Sequence, residues 1–345
     1  MASKELHVVG FPSYLDIVFI IFILLLAAFM YLYRTIALID TFLYDFDKRP
    51  RLSSLYFKGL CRGVLMKQGK LYDGDADAHA VQIYARKCRV DVGHLRLYKA
   101  VCGYPHTCKI PVYYMECFSI PVVTTLVTSS KFRLSPLGLI HIREVTDQYE
   151  DILVGTYNVS AKVSEYRETE RGVEVDIKVE TFNEDEICVV KSIVTLLSRS
   201  KAAQKGGGRK THPETAEEGD SPETIAFEVP PGIGVKYARV SGDYNPHHLY
   251  KLTAKVFGFK SPIAPGMWTV AHTLAELHKN GFVQLGAPLH VEAFFKRPLF
   301  IPGDVLVKHT MDSSEDGCTF RVENKDTKEP HVIGSISNTA KSVAR

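Results

Sequence analysis

Two stretches of strand-like sequence repeat each other along this chain, and this repeat limits the possible folds most strongly. In each stretch, four segments of alternating apolar and polar residues are joined by short charged turns. Matching positions lie 149, 148 and 145 residues apart, for the pairs His141 and His290, Gly155 and Gly303, and Gly172 and Gly317. Such a nearly constant spacing indicates a duplicated unit.

The second stretch also contains the helix that its sheet needs as a packing partner. Pro265 suits a first helical position, apolar residues recur at helical spacing from Trp268 onwards, and Gly281 ends the pattern. Residues 200–222 separate the two stretches with a polar, glycine-rich sequence that is typical of a flexible linker. We therefore predict an α+β protein with two modules, at 96–199 and 223–345.

Composition narrows the possible functions. The 345 residues are 46% hydrophobic and 23% charged, and 42 Lys and Arg against 39 Asp and Glu give a net charge of +3. This charge is too small and too dispersed for a nucleic-acid partner. The seven cysteines form no C-x-x-C pair, which predicts reduced thiols and no metal site, and it favours the cytosolic side for the main body.

The N-terminal part contains seventeen uncharged residues from Ile17 to Tyr33. We predict a transmembrane helix over 14–39, preceded by a tail at 1–13 and followed by a juxtamembrane segment at 40–95. A cleaved signal peptide is the alternative, but no small-residue cleavage site follows the run. More basic residues follow the run than precede it, which predicts a single-pass protein whose modules face the cytosol, with the endoplasmic reticulum favoured as the membrane.

The most informative motif lies in the second module. The run Gly242-Asp243-Tyr244-Asn245-Pro246-His247-His248 is followed by Gly258-Phe259-Lys260-Ser261-Pro262-Ile263-Ala264-Pro265-Gly266-Met267. The pattern G-D-x-N-P-x-H with G-F-x-x-P-I-A-x-G-M closely resembles the MaoC-like, R-specific enoyl-CoA hydratase family. That resemblance implies a hot dog fold, here in the double form in which each sheet wraps round one long helix.

The resemblance also implies an activity and its residues. The family adds water to trans-2-enoyl thioesters, or removes it from (3R)-hydroxyacyl thioesters, of coenzyme A or acyl carrier protein, without a cofactor. By analogy, Asp243 and His248 activate the water, and the Gly266 N–H holds the thioester oxygen. Asn245 and Tyr237 shape the site. The first module lacks the motif, so we expect it to be non-catalytic and to accommodate the acyl chain.

One position departs from the family pattern, because Pro265 replaces the usual histidine before Gly-Met. This change removes a side-chain donor, so substrate contacts near the carbonyl are expected to differ. Phosphates of coenzyme A are predicted to contact four basic residues, Lys251, Lys255, Lys296 and Arg297, although solvated charges are the simpler interpretation.

Several alternatives remain open at this point. Asp243 could serve only as a turn former, and His247 occupies the variable position of the motif, where a non-catalytic role is the simpler interpretation. A membrane-tethered thioester-binding or scaffold protein without catalysis is the main alternative function. A hot dog thioesterase is a third, for which the motif is the wrong signature.

Overall fold

The computed structural model describes residues 14–32, 40–73, 81–200, 223–312 and 317–338. The chain divides into two units, residues 1–40 and 41–345. The predicted tail at 1–13 and nearly all of the predicted linker at 200–222 lie outside the described residues.

Unit 1 contains one described helix, α1 (Tyr14–Leu32), of 19 residues. None of the helices within the described ranges has both the length and the apolar character required to cross a membrane. The predicted transmembrane helix over 14–39 is therefore wrong. Three predictions that depended on this helix are wrong for the same reason. They are the single-pass membrane localisation, the cytosolic orientation and the endoplasmic reticulum assignment.

Unit 2 is built on a sheet of eleven strands. Its strands are β1 (Leu43–Asp45), β2 (Gln82–Arg89), β3 (Leu139–Gln148), β4 (Thr156–Thr169), β5 (Gly172–Phe182), β6 (Cys188–Arg199), β7 (Glu223–Val229), β8 (Leu289–Phe295), β9 (Gly303–Asp312), β10 (Gly317–Asn324) and β11 (Pro330–Ser337). Their order in the sheet is β1-β2-β4-β5-β6-β3-β8-β11-β10-β9-β7. The β1–β2 pair is parallel, and the other neighbouring strands are antiparallel.

The described helices of unit 2 pack against this sheet and against each other. They are α2 (Leu52–Leu65), α3 (Val92–Cys102), α4 (Glu116–Thr128), α5 (Ile233–Ser241), α6 (Pro246–Leu249), α7 (Lys251–Val256) and α8 (Gly266–Lys279), with short 3₁₀ helices at Phe46–Lys48 and Val112–Met115. The mixed α+β architecture with a large sheet and long helices is therefore as predicted. Helix α8 begins at Gly266, and Pro265 is its N-cap rather than its first helical residue.

The two halves of the sheet have the same internal order. From the centre outwards, the first half is β3, β6, β5, β4, β2 and the second half is β8, β11, β10, β9, β7. Along the chain, helices α3 and α4 come before the four strands β3 to β6. In the same way, α5 and α8 come before the four strands β8 to β11. This is the arrangement that a duplicated unit produces.

The segment 40–95, predicted as a juxtamembrane connection, is part of the folded unit. It supplies β1, α2 and β2, and β2 pairs with β4 in the sheet. Helix α2 packs on α4, where the Arg62 side chain donates hydrogen bonds to the backbone oxygens of Ser129 and Phe132. The first half of the sheet therefore begins before residue 96.

The two halves meet at the antiparallel pair β3–β8, which carries two polar side-chain contacts. Arg143 donates to Glu292 at 2.8 Å from Nε and lies 2.6 Å from it through Nη2. Asp147 lies directly opposite His290, with 2.7 Å between Oδ1 and Nδ1. Both contacts join a side chain of β3 to a side chain of β8. A shift of one strand against the other would break both of them, so they make the register of β3 against β8 specific.

Helix α8 is also tied to the first half of the protein through the end of α3. The Trp268 indole N–H donates to the Val101 carbonyl at 3.0 Å, and His272 Nδ1 lies 3.0 Å from the Cys102 carbonyl. Gly103 has φ 82°, and a Cβ atom there would lie 2.7 Å from the His272 ring. This close approach requires glycine at the end of α3.

We predict that Trp268→Phe lowers the free energy of unfolding by about 2 kcal/mol. The side chain is almost completely buried, so the change leaves a small cavity and also leaves the Val101 carbonyl without its indole donor. Denaturant unfolding followed by circular dichroism measures this loss. The control is Leu252→Ala at a side chain that is 77% exposed, which should change stability by less than about 0.5 kcal/mol. Equal stability of Trp268→Phe and wild type would contradict the prediction.

Candidate active site

A tight turn after α5 holds Asp243 in a fixed position. Gly242 ends the helix with φ 84°, and the Asp243 N–H donates to Ser241 Oγ at 3.1 Å. Asp243 Oδ1 accepts two hydrogen bonds from Asn245, one from the backbone N–H at 3.2 Å and one from Nδ2 at 2.6 Å. The predicted site-shaping residue Asn245 therefore acts on Asp243. Its side chain leaves Oδ2 of that carboxylate free for other contacts.

His248 lies on α6, which begins at Pro246 directly after this turn. Its side chain is 8% exposed, and its Nδ1 lies 2.8 Å from the backbone oxygen of Ile263. A carbonyl oxygen only accepts hydrogen bonds, so in the neutral ring Nδ1 carries the proton. The other nitrogen, Nε2, is then an acceptor, and it lies 3.6 Å from Asp243 Oδ2.

The Asp243–His248 pair presents two hydrogen-bond acceptors to the same point. Because both atoms are acceptors they do not bond to each other, but at a separation of 3.6 Å one water about 2.8 Å from each can donate a hydrogen bond to both. Each acceptor is able to take a proton from that water. The arrangement therefore suits general acid/base chemistry on a single water molecule.

Gly266 lies at the first position of α8, where backbone N–H groups have no partner within the helix. A Cβ atom at this position would lie 2.6 Å from the Phe295 ring, so the ring requires glycine here. The predicted site-shaping residue Tyr237 lies on α5 and is fully buried. Burial raises its pKa well above the usual value, and the charges of Glu116 and Asp243 add to this effect.

The four basic residues predicted to contact phosphates lie in two different places. Lys251 and Lys255 are exposed on α7, the helix that follows the His248 turn. Lys296 lies over the Phe294 ring, and Arg297 is paired with Glu329 at 2.7 Å. Lys251 and Lys255 are therefore close in sequence to His248, whereas Arg297 already forms an ion pair with a carboxylate.

Two further ionisable groups near Asp243 were not predicted from the sequence. Glu116, the first residue of α4, is 8% exposed, and its pKa is raised well above the usual value by burial and by the charges of Glu144 and Asp243. Tyr56 on α2 has its pKa raised by burial and by the charge of Asp243. Glu116 precedes Gly266 by 150 residues, so extending the repeat to the helices would have identified it.

His247 precedes His248 on α6, and its ring packs against other aromatic rings. Its ring is 4.1 Å from that of His248 and within 6 Å of the rings of Phe257 and Phe259. Burial lowers its pKa from 6.5 to about 3, and His248 adds to the effect. His247 therefore stays neutral at physiological pH, consistent with the variable position that it occupies in the motif.

We predict that His247 makes the protein less stable in acid. Below pH 6.5 the unfolded chain binds a proton at this residue, whereas the folded chain does so only near pH 3, so stability is lost as the pH falls between these values. Between pH 7 and pH 4.5, wild type should lose about 2 kcal/mol more unfolding free energy than His247→Leu. Urea unfolding at both pH values measures this difference. His106→Gln, at an exposed histidine, should behave as wild type; an identical pH dependence in His247→Leu would refute the prediction.

Comparison with known proteins finds a family model that matches the part of the chain carrying these residues. Residues 213–330 match the model of the MaoC like domain family. The chain is similar to the 3-hydroxyacyl-thioester dehydratase X of Mycobacterium tuberculosis, with 25% identity over 248 residues that cover 72% of this chain and 85% of the relative.

Solved structures show the same fold. The crystal structure of HtdX of Mycobacterium tuberculosis superposes with a TM-score of 0.61 at 23% identity, covering 74% of this chain and 98% of that one. A MaoC-like dehydratase from Phytophthora capsici superposes with a TM-score of 0.60 at 18% identity, covering 76% and 97%. Asp243, His248 and Gly266 all lie within residues 213–330, the part of the chain that matches the MaoC like domain model.

Proposed function

We propose that this protein is a hydro-lyase that adds water to trans-2-enoyl thioesters or removes water from (3R)-hydroxyacyl thioesters. The observation that carries this proposal is the pair of acceptors, Asp243 Oδ2 and His248 Nε2, held 3.6 Å apart by a hydrogen-bonded turn. The MaoC-like domain and the dehydratase name of the Mycobacterium tuberculosis relative agree with it. The thioester carrier is coenzyme A or acyl carrier protein.

In the hydration direction, Asp243 and His248 hold one water and remove its proton as the oxygen attacks C3 of the substrate. A new C3–O bond forms while the C2=C3 double bond opens, and the electron pair moves onto the thioester oxygen. The same pair of residues then returns a proton to C2, so the overall reaction adds one water. Dehydration follows the same steps in reverse.

The negative charge that develops on the thioester oxygen needs a donor that is already in place. Gly266 supplies an N–H group at the N-terminus of α8, where the partial charge of the helix favours an anion. Pro265 has no backbone N–H. The residue before Gly266 therefore provides no second backbone donor beside the Gly266 N–H. Glycine also lets Phe295 lie against the helix end.

The division of labour between the modules is part of the proposal. The second module, 223–345, carries the reacting groups. The first, predicted at 96–199 and joined in the sheet by β2, is non-catalytic and provides room for the acyl chain. Residues 200–222 link them. Lys251 and Lys255, next to the site on α7, are suited to contact phosphates of coenzyme A, with Lys296 and Arg297 as the second pair of candidates.

We predict that Asp243→Asn and His248→Gln each lower kcat by about 10² to 10⁴ while the protein stays folded. Each change preserves side-chain size but removes a proton acceptor from the water site. Loss of absorbance at the thioester-conjugated double bond, with crotonyl-CoA and longer enoyl-CoA substrates, measures the rate. Circular dichroism checks folding.

The matched controls are Asp326→Asn and His106→Gln, which make the same chemical changes at exposed residues and should keep wild-type rates. Rates within a few-fold of wild type in either active-site variant would overturn the proposed roles. An inactive wild type that nevertheless binds acyl thioesters would instead support a non-catalytic thioester-binding protein.

A further inference from the structure

A histidine of the first half lies beside the start of α8, which belongs to the second half. The centre of the His141 ring, on β3, is 4.6 Å from the centre of the Phe295 ring, on β8, and the two planes are inclined by 47°. The Phe295 ring in turn lies against Gly266, where a Cβ atom would be within 3.2 Å of three ring carbons. A single aromatic ring therefore separates His141 from the first residue of α8.

A β-bulge in β3 turns His141 towards this contact. Glu144 pairs with Val194 of β6, and His141 pairs with Leu196, so a step of three residues in β3 matches a step of two in β6. Directly opposed residues share a face of the sheet, and so do residues two apart in a regular strand. His141 and Glu144 therefore lie on the same face. Without the extra residue of the bulge, Ile142 would take the place of His141.

Glu144 holds the His141 ring in one orientation. The Nε2 atom of His141 lies 3.1 Å from Glu144 Oε2 and 3.0 Å from the backbone oxygen of Arg143. Both oxygens are acceptors, so Nε2 carries a proton and donates it to them. The Glu144 side chain is 1% exposed, and its other oxygen accepts from Thr146 Oγ1 at 3.2 Å. The carboxyl group that orients His141 is therefore itself fixed by burial and by a second hydrogen bond.

The Gly266 N–H depends on such support, because a donor to a developing negative charge acts only when it is already in the right place. Displacement of a reacting or binding group by about 1 Å can lower a rate about 100-fold. The preceding residue, Pro265, has neither a backbone N–H nor a polar side chain that could share the task. Phe295 limits where Gly266 can lie, and His141 limits where the Phe295 ring can lie.

We propose that His141 is a positioning residue for the Gly266 N–H and that it acts through the Phe295 ring. This inference rests on the proposed function, in which that N–H holds the thioester oxygen. It extends the function, because the half that lacks the G-D-x-N-P-x-H pattern then supports the reaction directly, in addition to providing room for the acyl chain.

The repeat supplies a matched control in His290, which follows His141 by 149 residues. Its side chain is 8% exposed, and its Nδ1 lies 2.7 Å from Asp147 Oδ1, so it is also a buried histidine beside a carboxyl group. His290 precedes Phe295 by an odd number of residues in β8, which places the two side chains on opposite faces of the sheet. His290→Ala therefore removes a comparable histidine without removing a contact of Phe295.

We expect His141→Ala to lower kcat for crotonyl-CoA about tenfold or more while KM changes by less than about threefold. A displaced donor weakens binding of the transition state more than binding of the substrate, whereas general loss of folded protein is detected by thermal unfolding. His141→Phe keeps a ring against Phe295, so its kcat should stay within about threefold of wild type. The same is expected of His290→Ala.

Three outcomes of this assay would overturn the inference and leave the proposed function intact. The first is a wild-type kcat in His141→Ala. The second is an equal loss of kcat in His290→Ala, which would show that any buried histidine of these strands has this effect. The third is an equal loss in His141→Phe, which would show that the ring contact is not the cause.

Nuclear magnetic resonance tests the inference without turnover. Protein labelled with carbonyl-¹³C proline and ¹⁵N glycine gives a combined signal only from Pro-Gly peptide groups, and the sequence contains three, which end at Gly232, Gly266 and Gly303. Pro265→Ala removes the ¹³C label before Gly266 and thereby assigns its signal.

The magnetic field of an aromatic ring falls steeply with distance, so the Gly266 signal reports the position of the Phe295 ring. His141→Ala should shift this signal by more than its line width, whereas His290→Ala should leave it in place. An unmoved Gly266 signal in His141→Ala would overturn the inference even if wild type hydrates no substrate. A shifted signal in a protein without hydratase activity would support the contact pathway and would reject only the proposed function.

Discussion

The antiparallel pairing of β3 with β8 is the contact on which the rest of unit 2 depends. It joins a half of six strands, β1 included, to a half of five in one sheet, and the Arg143–Glu292 and Asp147–His290 contacts make its register specific. With the sheets joined in this way, helices of different halves pack on each other, α3 on α8 and α4 on α5. The candidate site lies where these helices meet, so it depends on this pairing although none of its residues belongs to either strand.

The first residues of the two corresponding helices, α4 and α8, are chemically different. Helix α8 begins with Gly266, which exposes a backbone N–H, whereas α4 begins with Glu116, which adds a buried carboxyl group. The sequence pattern G-D-x-N-P-x-H occurs in the second half alone. A duplicated fold has thus diverged into one half with a paired carboxylate and imidazole and another half with buried hydroxyls and acids.

Local patterns in the sequence predict many of the strands, one long helix and the turn that carries the candidate site. The remaining features depend on contacts between residues that are far apart in the chain. The strand repeat and the helix between Pro265 and Gly281 depend on short-range periodicity, so they could be predicted. The closeness of Asp243 and His248 follows from a turn of six residues. The roles of β2 and α2 could not be predicted, because the neighbouring apolar run suggested a connection to a membrane. Tyr56 reaches Asp243 through tertiary packing, and no sequence pattern marks it, whereas Glu116 could have been found only by extending the repeat to the helices.

The protonation of Glu116 explains how three carboxyl groups can lie near one another in a buried region. If Glu116, Glu144 and Asp243 were all ionised, their mutual repulsion would add to the cost of burial. Burial and its two acidic neighbours raise the pKa of Glu116 well above the usual value, which favours the neutral form of this carboxyl group. Asn245, in turn, donates twice to Asp243 Oδ1 and leaves Oδ2 directed at His248. The region can therefore contain several acids and still present a single carboxylate to the water that His248 shares.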